Sequence, residues 1–408
     1  MARRWDSEYQ LLAGRLTDNG IDVESVVKRL KGQHIETPSW AYADAGTRFG
    51  TFKMAGAPRD VREKFADAAQ VNKHTGVAPS VAVHIPWDMV DNWAEMAQYA
   101  KSIGVSIGAV NPNVFQEREY QFGSLGNADA ASRRKAIDHM KECVGIMNDT
   151  GSKLLSLWFA DGTNFPGQGD IRKRKQWFQE GLAEVYSLLS SDQIMLIEYK
   201  PFEPAFYHTD IADWGMAYTF ATRLGDKAKV LVDLGHHLPG ANIEHIVAFL
   251  LDEGRLGGFH FNNRKYADDD LTVGSVQPYE LFLIYNELAA GEDAGLASDV
   301  AYMIDQSHTL KNKVEEMIQS VVNLQTSYAK SLIVDRSALA AAQNANDVLL
   351  AEETVRAAYD TDVSPLLWRV RTELGAPNPG SPIAGFRESG YASAKAAERG
   401  IGGATGLG

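Results

Sequence analysis

The segment that decides the fold is 195–270, in which three apolar runs are each followed by polar residues. The runs are MLIEYKPFEP at 195–204, KVLVDLGHH at 229–237 and GGFHFNNRKYADDD at 257–270. Near-continuous apolar runs are typical of fully buried strands. Each run carries one ionisable residue at the end of its apolar part, namely Glu198, Asp233 and His260. Because buried charge costs free energy unless it is compensated, this repeated ending predicts one shared site at one end of a parallel sheet.

Short apolar runs recur along the whole chain and alternate with helix-length segments. The runs lie at 39–43, 81–85, 105–110, 154–159, 194–199, 230–234, 258–261 and 300–305. The segments between them carry helix cap signals and lie at 59–74, 89–103, 130–150, 171–189, 211–224, 243–253 and 278–290. Eight strands that are each followed by a helix predict an α/β fold, a (β/α)8 TIM barrel. An open doubly wound sheet is the competing architecture, but no G-x-G-x-x-G follows the first strand.

The two ends of the chain lie outside this alternation. Apolar residues at helical spacing in 5–30 predict a helical lead-in over 1–35, ahead of a barrel domain over 36–308. Only helical segments follow, at 310–328, 332–350 and 351–374, before a tail at 376–408 that is rich in Gly, Ala, Ser and Pro. We interpret 309–408 as a helical extension and tail that embraces a neighbouring subunit. A loosely ordered tail is the alternative.

The composition narrows the class of protein. The 408 residues are 45% hydrophobic and 23% charged, which allows a sizeable core. The net charge of −13 argues against nucleic-acid partners, which rely on Lys and Arg for phosphate contacts. No apolar run approaches the ~20 residues that span a bilayer, and the N-terminus is too polar for a signal peptide. Because Cys143 stands alone, we expect no disulfide framework and a cytoplasmic protein without membrane partners.

The carboxyl ends of barrel strands meet at one face, where active sites lie. The predicted strand ends place there three carboxylates and one imidazole, which are Glu198, Asp233, His260 and Asp305. Oxygen-rich ligand sets with one nitrogen suit Mn²⁺ or Mg²⁺, with Co²⁺ as a substitute. Each residue alone is as readily explained as a hydrogen-bonded polar group at a strand end. All four in register predict a metal site.

A second group of ligand-type side chains lies beside the first. His236 stands three residues after Asp233. Asp268 and Asp270 alternate by two, so in an extended loop their side chains share one face. The acidic triplet 268–270 is open to a simpler interpretation as a solvated loop. Next to a metal site, two carboxylates that face the same way favour a second ion, with Glu198 bridging the two.

Basic and aromatic residues at the other strand ends predict a substrate pocket. Lys200 would donate hydrogen bonds to a substrate oxygen, and the alternative is a structural ion pair with Glu203 or Asp233. His84 is expected to bind a sugar hydroxyl or to assist ring opening together with Asp305. We expect an aromatic wall, of the kind that lines the apolar faces of sugars, from Trp40, Trp87, Phe115 and Trp158, with Phe49 as a further substrate-binding candidate.

Taken together, these segments resemble those of one family. EYKPFEP at 198–204, DLGH at 233–236 and KYADDDL at 265–271 look like the metal-binding segments of the xylose isomerase-like sugar isomerases. The variants DLGHH at 233–237 and GFHFNN at 258–263 most resemble the L-rhamnose isomerases that also accept D-allose. The resemblance extends over residues 40–305. The C-terminal helices and tail are also consistent with this family.

The resemblance implies two Mn²⁺-type ions, a homotetramer and aldose–ketose interconversion between C1 and C2 of a monosaccharide. It assigns the first ion to Glu198, Asp233, His260 and Asp305, and the second to Glu198, His236, Asp268 and Asp270. The catalytic set that we expect on this basis is Lys200, Asp305, His84, His236 and Asp270. The chain departs from the xylose enzymes in having Asp305 as the last ligand and Tyr199 within EYK, which leaves the substrate open.

Other functions stay open on the sequence alone. They are a metal-dependent ketose 3-epimerase of the same barrel superfamily, an endonuclease-like phosphoesterase, and a sugar-binding protein without catalysis. The acidic composition disfavours the phosphoesterase, and the full second-ion set together with Asp305 favours the isomerase over the epimerase. The hydrogen could move between C2 and C1 as a hydride or through an enediol, and the aromatic wall favours the hydride because it excludes water.

Overall fold

Eight parallel strands close into a barrel at the centre of the chain, and each strand pairs with its neighbours in sequence order. The computed structural model describes residues 2–47, 50–202, 208–265, 268–307 and 310–403. The barrel strands are β1 Ile35–Pro38, β2 Ser80–Ile85, β3 Ser106–Pro112, β4 Leu154–Leu157, β5 Ile194–Glu198, β6 Ala228–Asp233, β7 Leu256–Phe261 and β8 Ala301–Ile304. The first strand pairs with the last, so the predicted (β/α)8 barrel is confirmed.

Helices surround the barrel and extend beyond it at both ends. Their bounds are α1 Ala2–Asp18, α2 Val23–Lys31, α3 Val61–Thr75, α4 Trp93–Ser102, α5 Ala130–Thr150, α6 Ile171–Tyr186, α7 Trp214–Leu224, α8 Ile243–Asp252, α9 Pro278–Asp293, α10 Lys313–Leu332, α11 Arg336–Asn344, α12 Val348–Asp360, α13 Ser364–Glu373, α14 Pro382–Glu388 and α15 Tyr391–Arg399. One helix, from α3 to α10, follows each barrel strand. None of the helices in the described ranges is long and apolar enough to cross a membrane. The division into domains at 35 and 308 stays a prediction.

Burial on both faces explains why the barrel strands read as apolar runs. Every residue of β2 and β7 is buried, because side chains fill the barrel on one face and helices cover the other. One predicted strand is wrong: 39–43 lies after β1, and Ser39–Tyr42 forms a 3-10 helix. Its residues are buried, and short buried helices and strands cannot be distinguished by apolar content alone.

The helices of the C-terminal region differ in number from the prediction. The segment 332–350 does not form one helix, because α11 ends at Asn344 and α12 begins at Val348. Between them Asn346 has a left-handed backbone with φ of 55°, which ends the first helix. The side chain of Asp347 then accepts a hydrogen bond from the backbone N–H of Leu350 and caps the second helix.

An apolar cluster fills the inside of the barrel beneath the carboxyl ends of the strands. It contains one or two side chains from several strands, and its buried members include Ala82, Ala109, Leu196, Leu231 and Met303. Because these side chains occupy the barrel axis, the ionisable residues at the carboxyl ends of β5 to β8 have an apolar floor. The barrel therefore has two separate ends, and the predicted site lies at one of them.

The tail packs against its own barrel up to residue 403. Phe386 is 1% exposed, and the guanidinium of Arg399 donates to Asp67 on α3 at 2.9 Å. The hydroxyl of Tyr391 donates to the same carboxylate at 2.7 Å. The loosely ordered alternative is therefore wrong for residues 376–403. The proposal that the region contacts a second subunit stays a prediction.

The buried pair between Arg399 and Asp67 leads to a stability prediction. Replacing Arg399→Ala leaves Asp67 buried without its cation, which should lower the free energy of unfolding by about 3–5 kcal/mol. The exposed pair between Arg387 and Glu315 on the same tail is the control, because Arg387→Ala removes only a solvent-screened contact. Urea denaturation measures both variants. Equal stability of Arg399→Ala and wild type would contradict a role of the tail in holding the barrel.

Candidate active site

The carboxyl ends of the strands surround a cavity of about 150 Å³. Its lining contains acidic, basic and aromatic residues from every part of the barrel, namely Trp40, His84, Trp87, Asn111, Pro112, Phe115, Ser156, Trp158, Glu198, Lys200, His236, His260, Asp268, Asp270 and Asp305. All the predicted site residues are in this lining except Asp233, which is fully buried beneath it, and Phe49, which lies outside the described residues. The structure therefore brings the predicted residues together, while their roles stay predictions.

Three carboxylates converge on the imidazole of His260. Its Nδ1 lies 3.3 Å from Glu198 Oε2, 3.6 Å from Asp305 Oδ2 and 3.8 Å from Asp233 Oδ2. Neither His260 Nδ1 nor Asp233 Oδ2 has a hydrogen-bond partner within the described part of the chain. The other oxygen of Asp233 accepts hydrogen bonds from the backbone of Gly235 at 2.6 Å and from Asn262 at 3.0 Å. These contacts hold the carboxylate in place and direct its second oxygen toward the cluster.

The electrostatics of this first cluster are dominated by burial and by mutual charge. Burial raises the pKa of Asp233 to about 7. Burial also opposes the charged forms of His260 and Glu198, but their attraction outweighs it. The pKa of His260 is therefore raised to about 9, and that of Glu198 is lowered to about 2. In the protein without cations, His260 thus carries a proton that balances part of the negative charge.

A second cluster lies on the other side of Glu198. Oε1 of Glu198 is 3.0 Å from Nδ1 of His236, and Nε2 of His236 is 3.1 Å from Oδ1 of Asp268. The other oxygen of Asp268 accepts from Nζ of Lys200 at 2.5 Å. Lys200 therefore has an ionic partner that the sequence did not indicate; of the two expected partners, Glu203 lies outside the described residues. His236 Nδ1 also lies 3.0 Å from the backbone oxygen of Tyr199, which orients the ring.

The acidic triplet reaches the cavity by a different backbone path from the one expected. Asp268 and Asp270 both line the cavity, but the loop is not extended, because Asp270 has a left-handed φ of 46°. Between them Asp269 accepts a hydrogen bond from the backbone N–H of Lys265 at 2.5 Å. Burial together with the negative charge of Asp268 raises the pKa of Asp270 well above its ordinary value. Aspartate enters this conformation more readily than most other non-glycine residues, so the turn needs no glycine.

Aromatic rings form the wall of the cavity opposite the two clusters. The ring of His84 stacks on Trp87 with centroids 4.0 Å apart, and Phe115 meets Trp158 edge to face at 4.8 Å. Trp40 connects this wall to the first cluster, because its Nε1 donates to Oδ1 of Asp305 at 2.8 Å. The wall therefore presents an apolar surface to the cavity, and a hydrogen bond connects one edge of it to a carboxylate.

His84 places a polar ring nitrogen within this apolar wall. Its Nδ1 is buried without a hydrogen-bond partner in the described chain, and burial lowers the pKa of its imidazole to about 3, so the ring is neutral. Its backbone N–H donates to Asp88 at 2.8 Å, and the fully buried ammonium of Lys64 lies 2.7 Å from the same carboxylate. This buried pair fixes the backbone that carries His84, and no pattern in the sequence indicates it.

Two polar lining residues were missed from the sequence. Ser156 lies on β4 two positions before Trp158, so both side chains share one strand face, and its Oγ has no hydrogen-bond partner among the described atoms. Counting back by two from the tryptophan would have found it. Asn111 lies near the end of β3 and donates to the backbone oxygen of Val83 at 3.1 Å. No ligand-type residue marks that strand end, so the sequence contained no comparable signal.

Comparison with solved structures supports the fold. The structure of an L-ribulose 3-epimerase aligns with a TM-score of 0.55 at 12% identity, covering 74% of this chain and 98% of that chain. A 3-keto-D-glucoside 4-epimerase from E. coli aligns with a TM-score of 0.53 at 12% identity, covering 72% of this chain and 99% of that chain. At this identity, the likeness shows a common fold alone.

Comparison of sequences identifies the family. Residues 48–287 match the family described as xylose isomerase-like TIM barrel. A protein of Rhizobium meliloti named probable sugar isomerase is 44% identical over 400 residues, which cover 96% of this chain and 92% of that protein. A second probable sugar isomerase, from Mesorhizobium japonicum, is 43% identical over 406 residues, which cover 98% of this chain and 94% of that protein. This protein therefore belongs to the xylose isomerase-like TIM barrel family.

Proposed function

We propose that the protein is a metal-dependent aldose–ketose isomerase that interconverts L-rhamnose and L-rhamnulose, and related pairs such as D-allose and D-psicose. The observation that carries the proposal is the pair of ligand clusters that share Glu198 beneath an aromatic wall. The names of the two relatives that are 44% and 43% identical support isomerisation. The choice of L-rhamnose rests on the resemblance of the segments 233–237 and 258–263.

The donor atoms fit divalent cations. His260 Nδ1 and Asp233 Oδ2 are buried, have no hydrogen bond within the described residues, and face each other among carboxylates. Buried polar atoms are otherwise nearly always hydrogen-bonded, so their convergence indicates an ion position. We propose two ions, with Mn²⁺ preferred over Co²⁺ or Mg²⁺, held by Glu198, Asp233, His260 and Asp305 and by Glu198, His236, Asp268 and Asp270. When bound, such ions supply Lewis-acid polarisation of the sugar oxygens.

The remaining lining residues have roles that follow from their charge. Neutral His84 has a ring nitrogen without a partner among the described residues, which can accept a hydrogen bond from the anomeric hydroxyl. Because a pKa of about 3 makes the ring a weak base, it would assist ring opening by orienting the proton of that hydroxyl. Asp305, which Trp40 orients, is the second candidate for that proton. The ammonium of Lys200 lies 5.1 Å from the ring centroid of Trp158, where it can donate to a sugar oxygen that gains negative charge.

The wall also bears on how hydrogen moves between C2 and C1. Phe115 and Trp158 cover one side of the cavity with apolar surface, which excludes water from the reacting carbons. An enediol route would place an exchangeable proton on a base, whereas a hydride route keeps the hydrogen on the sugar. We propose the hydride route on this ground.

The alternative within the family is a ketose 3-epimerase, and a protein that binds sugar without catalysis is a further alternative. The barrel fold is compatible with both alternatives, because fold does not determine function. The second cluster, with His236, Asp268 and the ammonium of Lys200, supports the isomerase, since it adds polarising groups beyond those of the first cluster. The proposal includes a cytoplasmic homotetramer in which 309–408 contributes to the interface.

Metal binding should depend on pH in a direction that follows from the first cluster. The pKa values of His260, raised to about 9, and of Asp233, raised to about 7, mean that both hold protons near neutral pH without cations. A cation must displace these protons, so the affinity for Mn²⁺ should rise from pH 6 to pH 9. Titration calorimetry of the metal-free protein in two buffers with different ionisation enthalpies measures the protons released.

The matched variants for this titration are Asp233→Asn and Asp226→Asn. Asp233→Asn removes one ligand charge and should weaken Mn²⁺ binding at least about tenfold, as losses of metal contacts commonly do. Asp226 has an exposed carboxylate on the lead-in to the same strand and should bind as wild type does. Affinity that is independent of pH, or equal in the two variants, would contradict the first ion site.

Turnover should require the cations and the second cluster. We expect conversion of L-rhamnose to L-rhamnulose to stop in EDTA and to return with Mn²⁺, as measured by ketose formation. Asp270→Asn should lower kcat by at least about a hundredfold, whereas Asp269→Asn, in the same triplet, should leave it unchanged because that side chain accepts from the backbone of Lys265. A product altered only at C3 would identify an epimerase instead.

The hydride route predicts the fate of the transferred hydrogen. When the reaction runs in D₂O, the product should contain almost no deuterium at the carbon that receives the hydrogen, because the hydrogen never leaves the sugar. Nuclear magnetic resonance of the isolated product measures this. Substantial deuterium at C1 would instead require a proton that exchanges with solvent, and the enediol route would replace the hydride route.

A further inference from the structure

A larger cavity opens at the opposite, amino-terminal end of the barrel. Its volume is about 430 Å³, within the range of roughly 300–1,000 Å³ that is usual for small-molecule sites. The first residues of β4 and β8 lie in its lining, together with residues of α2, α9 and α10. The apolar cluster inside the barrel, which includes Leu196, Leu231 and Met303, separates this cavity from the candidate active site.

The inner end of this amino-terminal cavity contains the carboxylate of Glu36. The residue is 6% exposed, and its Oε1 accepts from the backbone N–H of Ala109 at 3.0 Å. Its carboxylate also accepts a hydrogen bond from the side chain of Ser80. No Lys, Arg or His in the described ranges forms an ion pair with it. Gly108 is required at its position, because a Cβ there would lie 1.5 Å from Oε2 of Glu36. The barrel backbone is therefore shaped to admit a carboxylate that has no cation of its own.

An independent feature of the lining is a set of buried polar atoms without partners. Tyr285 is 0% exposed, and its hydroxyl has no hydrogen bond in the described part of the protein. The side chain of Gln33 lies beside this hydroxyl and interacts with it, but neither of its polar atoms forms a well-aligned hydrogen bond among the described residues. Such groups are rare in folded proteins, so two side chains with free donors and acceptors around one cavity indicate a polar occupant. The cavity is much larger than a single water molecule needs.

The charges around the cavity determine the class of occupant. The second carboxylate of the lining, Glu292, is already satisfied by Arg29 at 2.5 Å and by the hydroxyls of Tyr328 at 2.6 Å and Tyr302 at 3.1 Å. His34 is the other basic residue of the lining, and partial burial lowers its pKa, so it is neutral. Among the described residues, no free cation of the lining is thus available to Glu36. Burial raises the pKa of its carboxyl, and a cationic occupant would favour the ionised form. The tyrosine rings of the lining add surfaces that attract cations.

We infer that the amino-terminal cavity binds a small organic ammonium ion that also carries a hydrogen-bonding group. The ammonium group pairs with Glu36, and the polar group bonds to Tyr285 and Gln33. This site is separate from the proposed sugar site, so the inference does not depend on the proposed function.

Saturation-transfer NMR on the full-length, Mg²⁺-loaded protein in phosphate buffer tests the inference with ethanolamine hydrochloride as the probe. Ethylene glycol, which has a hydroxyl in place of the ammonium, is the neutral control. We expect saturable binding of ethanolamine and no signal from ethylene glycol. Equal signals from the two probes, or no signal from ethanolamine, would overturn the inference.

Variants locate the binding. Glu36→Gln should weaken ethanolamine binding more than about tenfold, since hydrogen bonds to charged groups contribute that much. Glu287→Gln, on α9 outside the lining, is the matched control and should bind as wild type does. Unchanged binding by Glu36→Gln would overturn the proposal.

Two more variants keep the test decisive if Glu36→Gln does not fold. Tyr285→Phe removes only the unpartnered hydroxyl, so it should weaken binding by about two- to tenfold while the protein without probe is at least as stable to heat. Ser298→Trp places a large ring at the exposed rim and should block entry. If both bind ethanolamine as wild type does, the amine binds elsewhere and the assignment fails.

Discussion

Repulsion between carboxylates at one mouth of the barrel is the constraint on which the rest of the site depends. Glu198 and Asp233 have ligand atoms within 4.8 Å of each other and of His236, and Asp233 is as close to Asp305 and His260. Two like charges about 4 Å apart cost about 4 kcal/mol at an effective dielectric constant of 20. The imidazoles offset part of that repulsion, and cations at the same place would offset the rest. Without cations, the clustered carboxylates lower the free energy of unfolding. The packing of other residues in the barrel must therefore supply the stability that keeps these side chains together.

That constraint also explains why the site could be predicted. A parallel barrel brings the ends of consecutive strands together, so Glu198, Asp233 and His260 needed only similar positions in successive strands to become neighbours. The register aligns Asp233 with His260 directly. Polar residues in buried runs are rare because they are costly, and three in a row were a strong signal. The first strand lacked such a signal, and the apolar residues after it were mistaken for the strand itself, although they form a 3-10 helix that places Trp40.

The features that the sequence did not reveal depend on distant partners or on single dihedral angles. Lys64 and Asp88 lie 24 positions apart, and Asp67 and Arg399 lie 332 apart, so no local pattern connects them. Periodicity reports which face is buried, but it does not report which buried charge meets which. The left-handed turn at Asp270 is equally invisible, because aspartate enters that conformation in few of its positions. The spacing of two between Asp268 and Asp270 predicted the correct cavity, but the extended backbone assumed for that prediction is not the one that the loop adopts.

The two ends of the barrel treat buried carboxylates differently, and this difference is informative. At the carboxyl end, Glu198, Asp268 and Asp305 each contact an imidazole, an ammonium or an indole N–H. At the amino end, Glu36 has a backbone N–H, the side chain of Ser80 and open volume. One apolar layer separates the ends, and the positive charge of His260 still favours the ionised form of Glu36 across it. The closed barrel therefore carries one polar site at each end. The surrounding helices and the tail stabilise the barrel that holds both sites.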